Sequence, residues 1–142
     1  MKVKDIMSKT VFNLNPEDTV DQAAHLMKEH NVGSIPVCSN GKVIGIITDR
    51  DIALRSVADG NNSTTQKIRE IMSSNPVLGN PEMDVTEAGR IMGEKQIRRL
   101  PIVENDKLVG IISLGDIAVE PNLQDKAGCI LSDVSEPSIP IT

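Results

Sequence analysis

Apolar and polar positions along this chain alternate between two periods. Val20, Ala23, Ala24, Leu26 and Met27 recur at helical spacing behind Asp18 or Thr19 as N-cap, which predicts a helix ending near Asn31. Ser34 to Cys38 and Lys42 to Thr48 are β-branched runs separated by Asn40-Gly41, a two-residue hairpin signal. Asp49 to about Ala58 returns to a helical pattern. Ahead of these elements, Val3 to Met7 predicts a short turn of helix, and Val11 to Leu14 a short strand stopped by Asn15-Pro16.

The whole pattern is then written again. Met7 and Met72 stand 65 positions apart, and the offset holds without a gap to Ala53 and Ala118. Ile6-Met7-Ser8 matches Ile71-Met72-Ser73, Pro16-Glu17 matches Pro81-Glu82, Val20, Ala23 and Met27 match Val85, Ala88 and Met92, and Pro36 matches Pro101. The second copy predicts a helix from Asp84 to Lys95, a strand from Leu100 to Val103, a turn at Asn105-Asp106 that lacks the first copy's Gly, and a last helix cut short by Pro121. The expected organisation is repeat 1 over 1–58, a polar linker over 59–66, repeat 2 over 67–120 and a tail over 121–142, of which Cys129 to Thr142 reads as extended or poorly ordered.

The fold class is therefore α/β (α+β): two β-α-β-β-α repeats, each preceded by a short helical turn. A strand pair with helices on one side leaves one sheet face bare. Two such halves related by a pseudo-twofold axis can press those faces together, which suits the continuous apolar runs Ile-Pro-Val and Val-Ile-Gly-Ile-Ile. That arrangement would create two equivalent clefts.

Both clefts would lie near one repeated junction. Gly45-Ile46-Ile47-Thr48-Asp49-Arg50-Asp51-Ile52-Ala53 reappears as Gly110-Ile111-Ile112-Ser113-Leu114-Gly115-Asp116-Ile117-Ala118. The hydroxyl residue sits where a strand turns into a helix, so two readings stay open. Thr48 or Ser113 can cap first-turn N–H groups while Asp51 or Asp116 reaches back, an Asp version of the capping box. The same hydroxyl can meet a phosphate at a helix N-terminus, and the carboxylate can accept the two vicinal hydroxyls of a ribose. Arg50, in the first turn, sits at the unfavourable end of the helix dipole; an anion, Asp49 or Asp51 could each relieve this.

Composition narrows the field. Fifteen basic residues against 20 acidic ones give a formal charge of −5, which disfavours nucleic acid, and one Phe with no Tyr or Trp leaves no stacking platform. No signal-peptide core or run of membrane-spanning length is present, so a cytoplasmic protein without a membrane partner is expected. Cys38 reads as a small core hydrophobe and Cys129 as a tail residue, with no metal or disulfide spacing. His25 and His30, five apart, do not share a helix face for a metal and are expected at the surface or helix end. No catalytic motif appears, and Met7, Met27, Met72 and Met92 read as core.

With Asp5-Ile6-Met7, Val32 to Val37, Gly45 to Asp51, Ile97 to Val103 and Gly110 to Asp116 in place, the chain resembles a tandem pair of cystathionine β-synthase-type (CBS) domains, of the small stand-alone bacterial kind, over about residues 1–120. The resemblance implies a disc-like pair, often dimeric, whose clefts bind adenosine-containing ligands: AMP, ADP, ATP or S-adenosylmethionine. It implies that Asp51 and Asp116 hold ribose and that Thr48 and Ser113 contact phosphate. It also implicates the residues before the strand proline, Val32, Gly33 and Ser34 in one copy and Ile97, Arg98 and Arg99 in the other. A polyphosphate would find its cations mainly in the second copy, where adjacent strand positions allow at most one of the two Arg side chains into a given cleft.

The function expected is a non-enzymatic sensor that needs no cofactor, takes an adenine nucleotide as ligand and signals to an unknown effector protein. A dimerisation scaffold whose hydroxyl-x-x-Asp elements are only caps is the alternative. Ala23, Ala24, Ala88 and Gly89 on the first helix of each repeat would permit close helix approach, so a homodimer through helical faces is expected.

Overall fold

A computed structural model describes residues 1–120 and 123–135, except for the side chains of 124–126. In the first repeat, helix α1 (Val20–His30) is opened by a reciprocal cap, in which the Gln22 N–H donates to Thr19 Oγ1 and the Thr19 N–H to Gln22 Oε1. Asn31 closes the helix in the left-handed region, φ 53°. Strands β1 (Ser34–Ser39) and β2 (Lys42–Thr48) pair antiparallel from Ser34↔Thr48 to Ser39↔Lys42. Their turn, Asn40-Gly41, has positive φ at both residues, as a type I′ hairpin requires.

Helix α2 (Asp49–Ile52) follows β2 directly and passes into a π-helical turn, Ala53–Val57, closed by the Ala58 N–H donating to the Ala53 carbonyl at 2.9 Å. The helix expected over Asp49 to Ala58 is thus one continuous element that widens halfway. The expected strand Val11 to Leu14 is not formed as a strand. Asn15-Pro16 ends it too early, and only Leu14 bridges, parallel, to Val37.

A two-residue strand, β3 (Ser73–Ser74), pairs antiparallel with β2 at Gly45↔Ser74 and Ile46↔Ser73. A Cβ on Gly45 would stand 2.8 Å from the Ser73 carbonyl oxygen. The glycine that opens the repeated junction therefore lets a second segment lie close against the strand.

The second repeat has α3 (Val85–Lys95) with Asp84 as N-cap, β4 (Arg99–Glu104), β5 (Lys107–Ser113) and α4 (Leu114–Ala118). The 65-residue offset persists in individual hydrogen bonds. Leu14↔Val37 recurs as Gly79↔Ile102, and Thr19↔Lys67 as Lys2↔Asp84. Gly110, the partner of Gly45, has Met7 and Ser8 close against it, with the Met7 sulfur 2.5 Å from where its Cβ would stand. Asn105 and Asp106 reach φ 52° and 65°, so this turn forms without a glycine.

The chain forms two compact units, and each recruits the leading segment that precedes the other's body. One unit comprises Met1–Val11, Val77–Glu104 and the chain from Val109 on; the other comprises Phe12–Pro76 and Asn105–Leu108. In the first of these, Val3 is fully buried in a core of Val85, Ala88, Met92, Leu100, Ile102 and Ile112. In the second, its repeat counterpart Ile68 is fully buried among Val20, Ala23, Met27, Ile35 and Ile47. Cys38 is buried, and desolvation pushes its thiol above the usual range.

The tail needs correction. Residues Gln124–Ser135 form a helix, α5, packed on α3 and α4, with Leu123, Ala127 and Ile130 buried in the core around Met92. Its apolar positions at 127, 130, 131 and 134 do follow helical spacing, but Gly128 and a mostly polar remainder give it little stability alone. Docking supplies what propensity lacks. The rest of the expected tail, 121–122 and 136–142, lies outside the described residues.

Candidate functional site

The repeated junction folds as a capped strand-to-helix turn in each copy. Thr48 and Ser113 are N-caps, extended at φ −117° and −115°. The Thr48 N–H donates to Asp51 Oδ2 and the Asp51 N–H to Thr48 Oγ1, each at 3.0 Å. In the second copy the Ser113 N–H donates to Asp116 Oδ2 at 2.8 Å, and the Asp116 N–H to Ser113 Oγ at 3.1 Å. The capping reading is therefore realised twice. Each cap occupies one carboxylate oxygen.

The other oxygens differ in company. Asp51 Oδ1 lies 4.0 Å from Arg55 Nε, one helical turn on, and the Asp51 side chain is only 12% exposed. Arg55 also donates through Nη1 to the Ile71 carbonyl, so it is held over the helix start from the C-terminal side. Asp116 is partly buried, and its Oδ1 has no hydrogen-bond partner among the described residues. Glu120 occupies the position matching Arg55. Arg55 was not among the expected site residues, although its i, i+4 spacing from Asp51 marks the pairing.

The segment before each strand proline is tied to the same junction. The Asp49 N–H donates to the Gly33 carbonyl at 2.9 Å, and the Leu114 N–H to the Arg98 carbonyl at 2.9 Å. Gly33, Ser34, Thr48 and Asp51 are thereby gathered at one place in the first repeat, and Arg98, Arg99, Ser113 and Asp116 at the corresponding place in the second. Val32 and Ile97 are partly buried against the cores of their units.

The two junctions differ in charge. Asp49 folds over Gly33, its Oδ2 3.1 Å from where a Cβ would stand. The second repeat has Leu114 and Arg98 at these positions, replacing a carboxylate and a bare backbone by a hydrocarbon and a cation. Arg98 is exposed and Arg99 partly buried, as neighbours on opposite strand faces should be. Arg50 is exposed, and among the described residues its guanidinium has no carboxylate within 4.0 Å; the Asp49 carboxylate instead accepts the Arg50 backbone N–H at 2.8 Å.

The remaining candidates resolve as packing or surface. His25 is exposed, with Nδ1 2.8 Å from the Asp21 carbonyl oxygen, and His30 stacks on Phe12 at 4.1 Å between ring centroids. Met27 and Met92 are buried, and Met7 and Met72 pack partly buried against the two cores. Among the described residues no group of three metal-ligating side chains converges, and no helix is long and apolar enough to cross a membrane.

A tandem strand-strand-helix pair with a capped hydroxyl-x-x-Asp junction in each copy defines the class: the CBS domain model matches residues 3–57 and 68–121, and the chain belongs to that family. It is 47% identical over 137 residues to the CBS domain-containing protein YhcV of Bacillus subtilis (strain 168), covering 96% of this chain and 97% of that protein. Among solved structures it is similar to Hypoxic Response Protein I with two coordinated zinc ions (30% identity, TM-score 0.78, 84% of this chain and 98% of that one). It is also similar to the CBS domain pair of protein MJ0100 in complex with 5′-methylthioadenosine and S-adenosyl-L-methionine (30% identity, TM-score 0.74, 83% of this chain and 93% of that one).

Proposed function

We propose that this chain is a non-enzymatic regulatory module that binds an adenosine-containing ligand, AMP, ADP or ATP, at its hydroxyl-x-x-Asp junctions and passes the bound state to a partner protein. S-adenosylmethionine is the next candidate, since the related CBS pair of protein MJ0100 is described in complex with it. The observation that carries the reading is the half-used carboxylate: capping occupies Asp116 Oδ2 and leaves Oδ1 to accept from a ribose hydroxyl. Thr48 and Ser113 stand at the helix starts where a phosphate is favoured. One of Arg98 and Arg99, with Leu114 in place of Asp49, makes the second junction the better one for a polyphosphate. Signalling requires that the ligand bind one conformation of the module better than another.

A second reading is favoured by the completeness of both caps: a scaffold that binds no nucleotide and uses Asp51 and Asp116 only to start helices. Calorimetry with AMP, ADP, ATP and S-adenosylmethionine separates the two. Asp51→Asn and Asp116→Asn keep an oxygen for the cap but remove the charge. Under the sensor reading they bind ligand at least tenfold more weakly at their own site, because a hydrogen bond to a charged group contributes about 1.5–3 kcal/mol. No heat with any ligand and an intact fold would establish the scaffold.

The same reading has two copies associating through helical faces. Its support is the small, partly buried Ala24 on α1 and the partly buried Ile52 on α2, together with exposed Leu54 and Val57.

A further inference from the structure

The first repeat keeps an unfavourable local structure beside one arginine. Its π-helical turn, Ala53–Val57, faces Ser56 inward at 0% exposure, and among the described residues Ser56 Oγ has no hydrogen-bond partner. A buried hydroxyl without a partner destabilises a fold, and π-helical turns are found mostly where they serve a site. What this turn sets in place is Arg55.

Three hydrogen bonds hold that residue. The Asn61 N–H donates to the Ser56 carbonyl at 3.0 Å and Asn61 Nδ2 to the Arg55 carbonyl at 3.4 Å, which ties down the backbone of the turn. Arg55 Nη1 donates to the Ile71 carbonyl at 3.2 Å, which ties down the guanidinium. Its Nε then lies 4.0 Å from Asp51 Oδ1, the carboxylate oxygen that the Thr48 cap does not use. The second repeat is built otherwise. Glu120 and Pro121 stand where the first has Arg55 and Ser56, and α4 ends at Ala118. A proline lacks the N–H that would continue the turn, and a carboxylate at 120 offers Asp116 no counter-charge.

We propose that Arg55 is a lock on the first junction: it holds the oxygen of Asp51 that a ribose hydroxyl must reach, so that ligand fills the second junction first. Arg55 is thus a positioning residue, acting on the ligand through Asp51. The hold is screened less than an ordinary surface pair, because the Asp51 side chain is only 12% exposed. This rests on the nucleotide-binding reading above and adds to it an order of filling.

Calorimetry of the full chain with AMP, ADP, ATP and S-adenosylmethionine tests the lock, with Asp116→Asn isolating the first junction and Asp51→Asn the second. The first junction is expected to bind more weakly than the second. Adding Arg55→Gln, which keeps a donor for the Ile71 carbonyl and removes the charge, should tighten the first junction about threefold, the size that an ion pair with one exposed partner supports. The gain should shrink in high salt. Arg55→Lys, which keeps the charge, should bind as the unsubstituted first junction does, and Arg55→Gln should leave the second junction unchanged. No heat with any of the four ligands sinks the nucleotide-binding reading itself. Binding at the second junction, with a first junction that Arg55→Gln leaves unchanged or weakens, sinks only the lock. An Arg55→Lys variant that gains as much as Arg55→Gln also overturns it, since the charge would not be the cause. Loss of the folded circular dichroism signal in both Arg55→Gln and Arg55→Ala overturns it as well, since Arg55 would then be holding the fold.

Discussion

The Ser113 N–H donates to Asp116 Oδ2 at 2.8 Å, and the Asp116 N–H returns the bond to Ser113 Oγ at 3.1 Å. The pair satisfies two N–H groups at the start of α4, and it places at a helix N-terminus a carboxylate whose other oxygen has no hydrogen-bond partner among the described residues. Removing the hydroxyl in Ser113→Ala should lower the unfolding free energy by about 1 kcal/mol, the ordinary value of an N-cap. Asp116→Asn should cost less than Ser113→Ala in a urea titration while costing more in nucleotide affinity. The two measurements separate capping from recognition at one residue.

Val3 is the most N-terminal residue that is fully buried, and its N–H donates to the Met83 carbonyl at 2.9 Å. Val3→Ala removes two methylene equivalents from a filled core and should destabilise by about 2 kcal/mol. Ile68→Val, at the repeat-related position, should cost about 1 kcal/mol by the same logic. Equilibrium denaturation measures both. A negligible effect of Val3→Ala would mean that the leading segment does not plug the core in solution.

Glu82 accepts from Lys2 Nζ at 2.6 Å and from Lys4 Nζ at 2.9 Å, and the Lys2 and Lys4 hydrogen bonds lower its carboxyl to about 2. A depressed carboxyl stabilises the fold above its unfolded value of about 4.5 and loses that contribution as pH falls toward about 2. The stability difference between wild type and Glu82→Gln should therefore be constant above pH 5 and shrink through this window. Because the groups are exposed, it should also shrink in high salt.

Asp106 holds φ 65° with a side chain, whereas Gly41 holds φ 82° without one. Left-handed backbone disfavours a Cβ, so Asp106→Gly should stabilise by up to about 1 kcal/mol and Gly41→Ala should destabilise by a similar amount. Thermal melts of the two variants check the opposite signs.

Much of this was legible from local pattern. Thr19, Asn31 and the Asn40-Gly41 turn fall where capping and turn chemistry put them, because each depends on neighbours a few residues away. The hydroxyl-x-x-Asp junction was equally readable, since its cap closes over three residues. The strand expected at Val11 to Leu14 was not, because a strand needs a long-range partner and only Leu14 finds one. Arg55 beside Asp51 and Asp49 folded over Gly33 likewise depend on where the backbone turns.

The sequence by itself determined the two-copy plan, the turns, and the caps at each junction, because these are set by short-range geometry and a repeated spelling. Only the tertiary structure decided that Val3 and Ile68 plug cores built from distant chain segments, that Gly45 and Gly110 are bare because another segment lies close against them, and that α5 is a helix. Each of those outcomes depends on which surfaces meet, and burial against a distant partner outweighs a weak local preference.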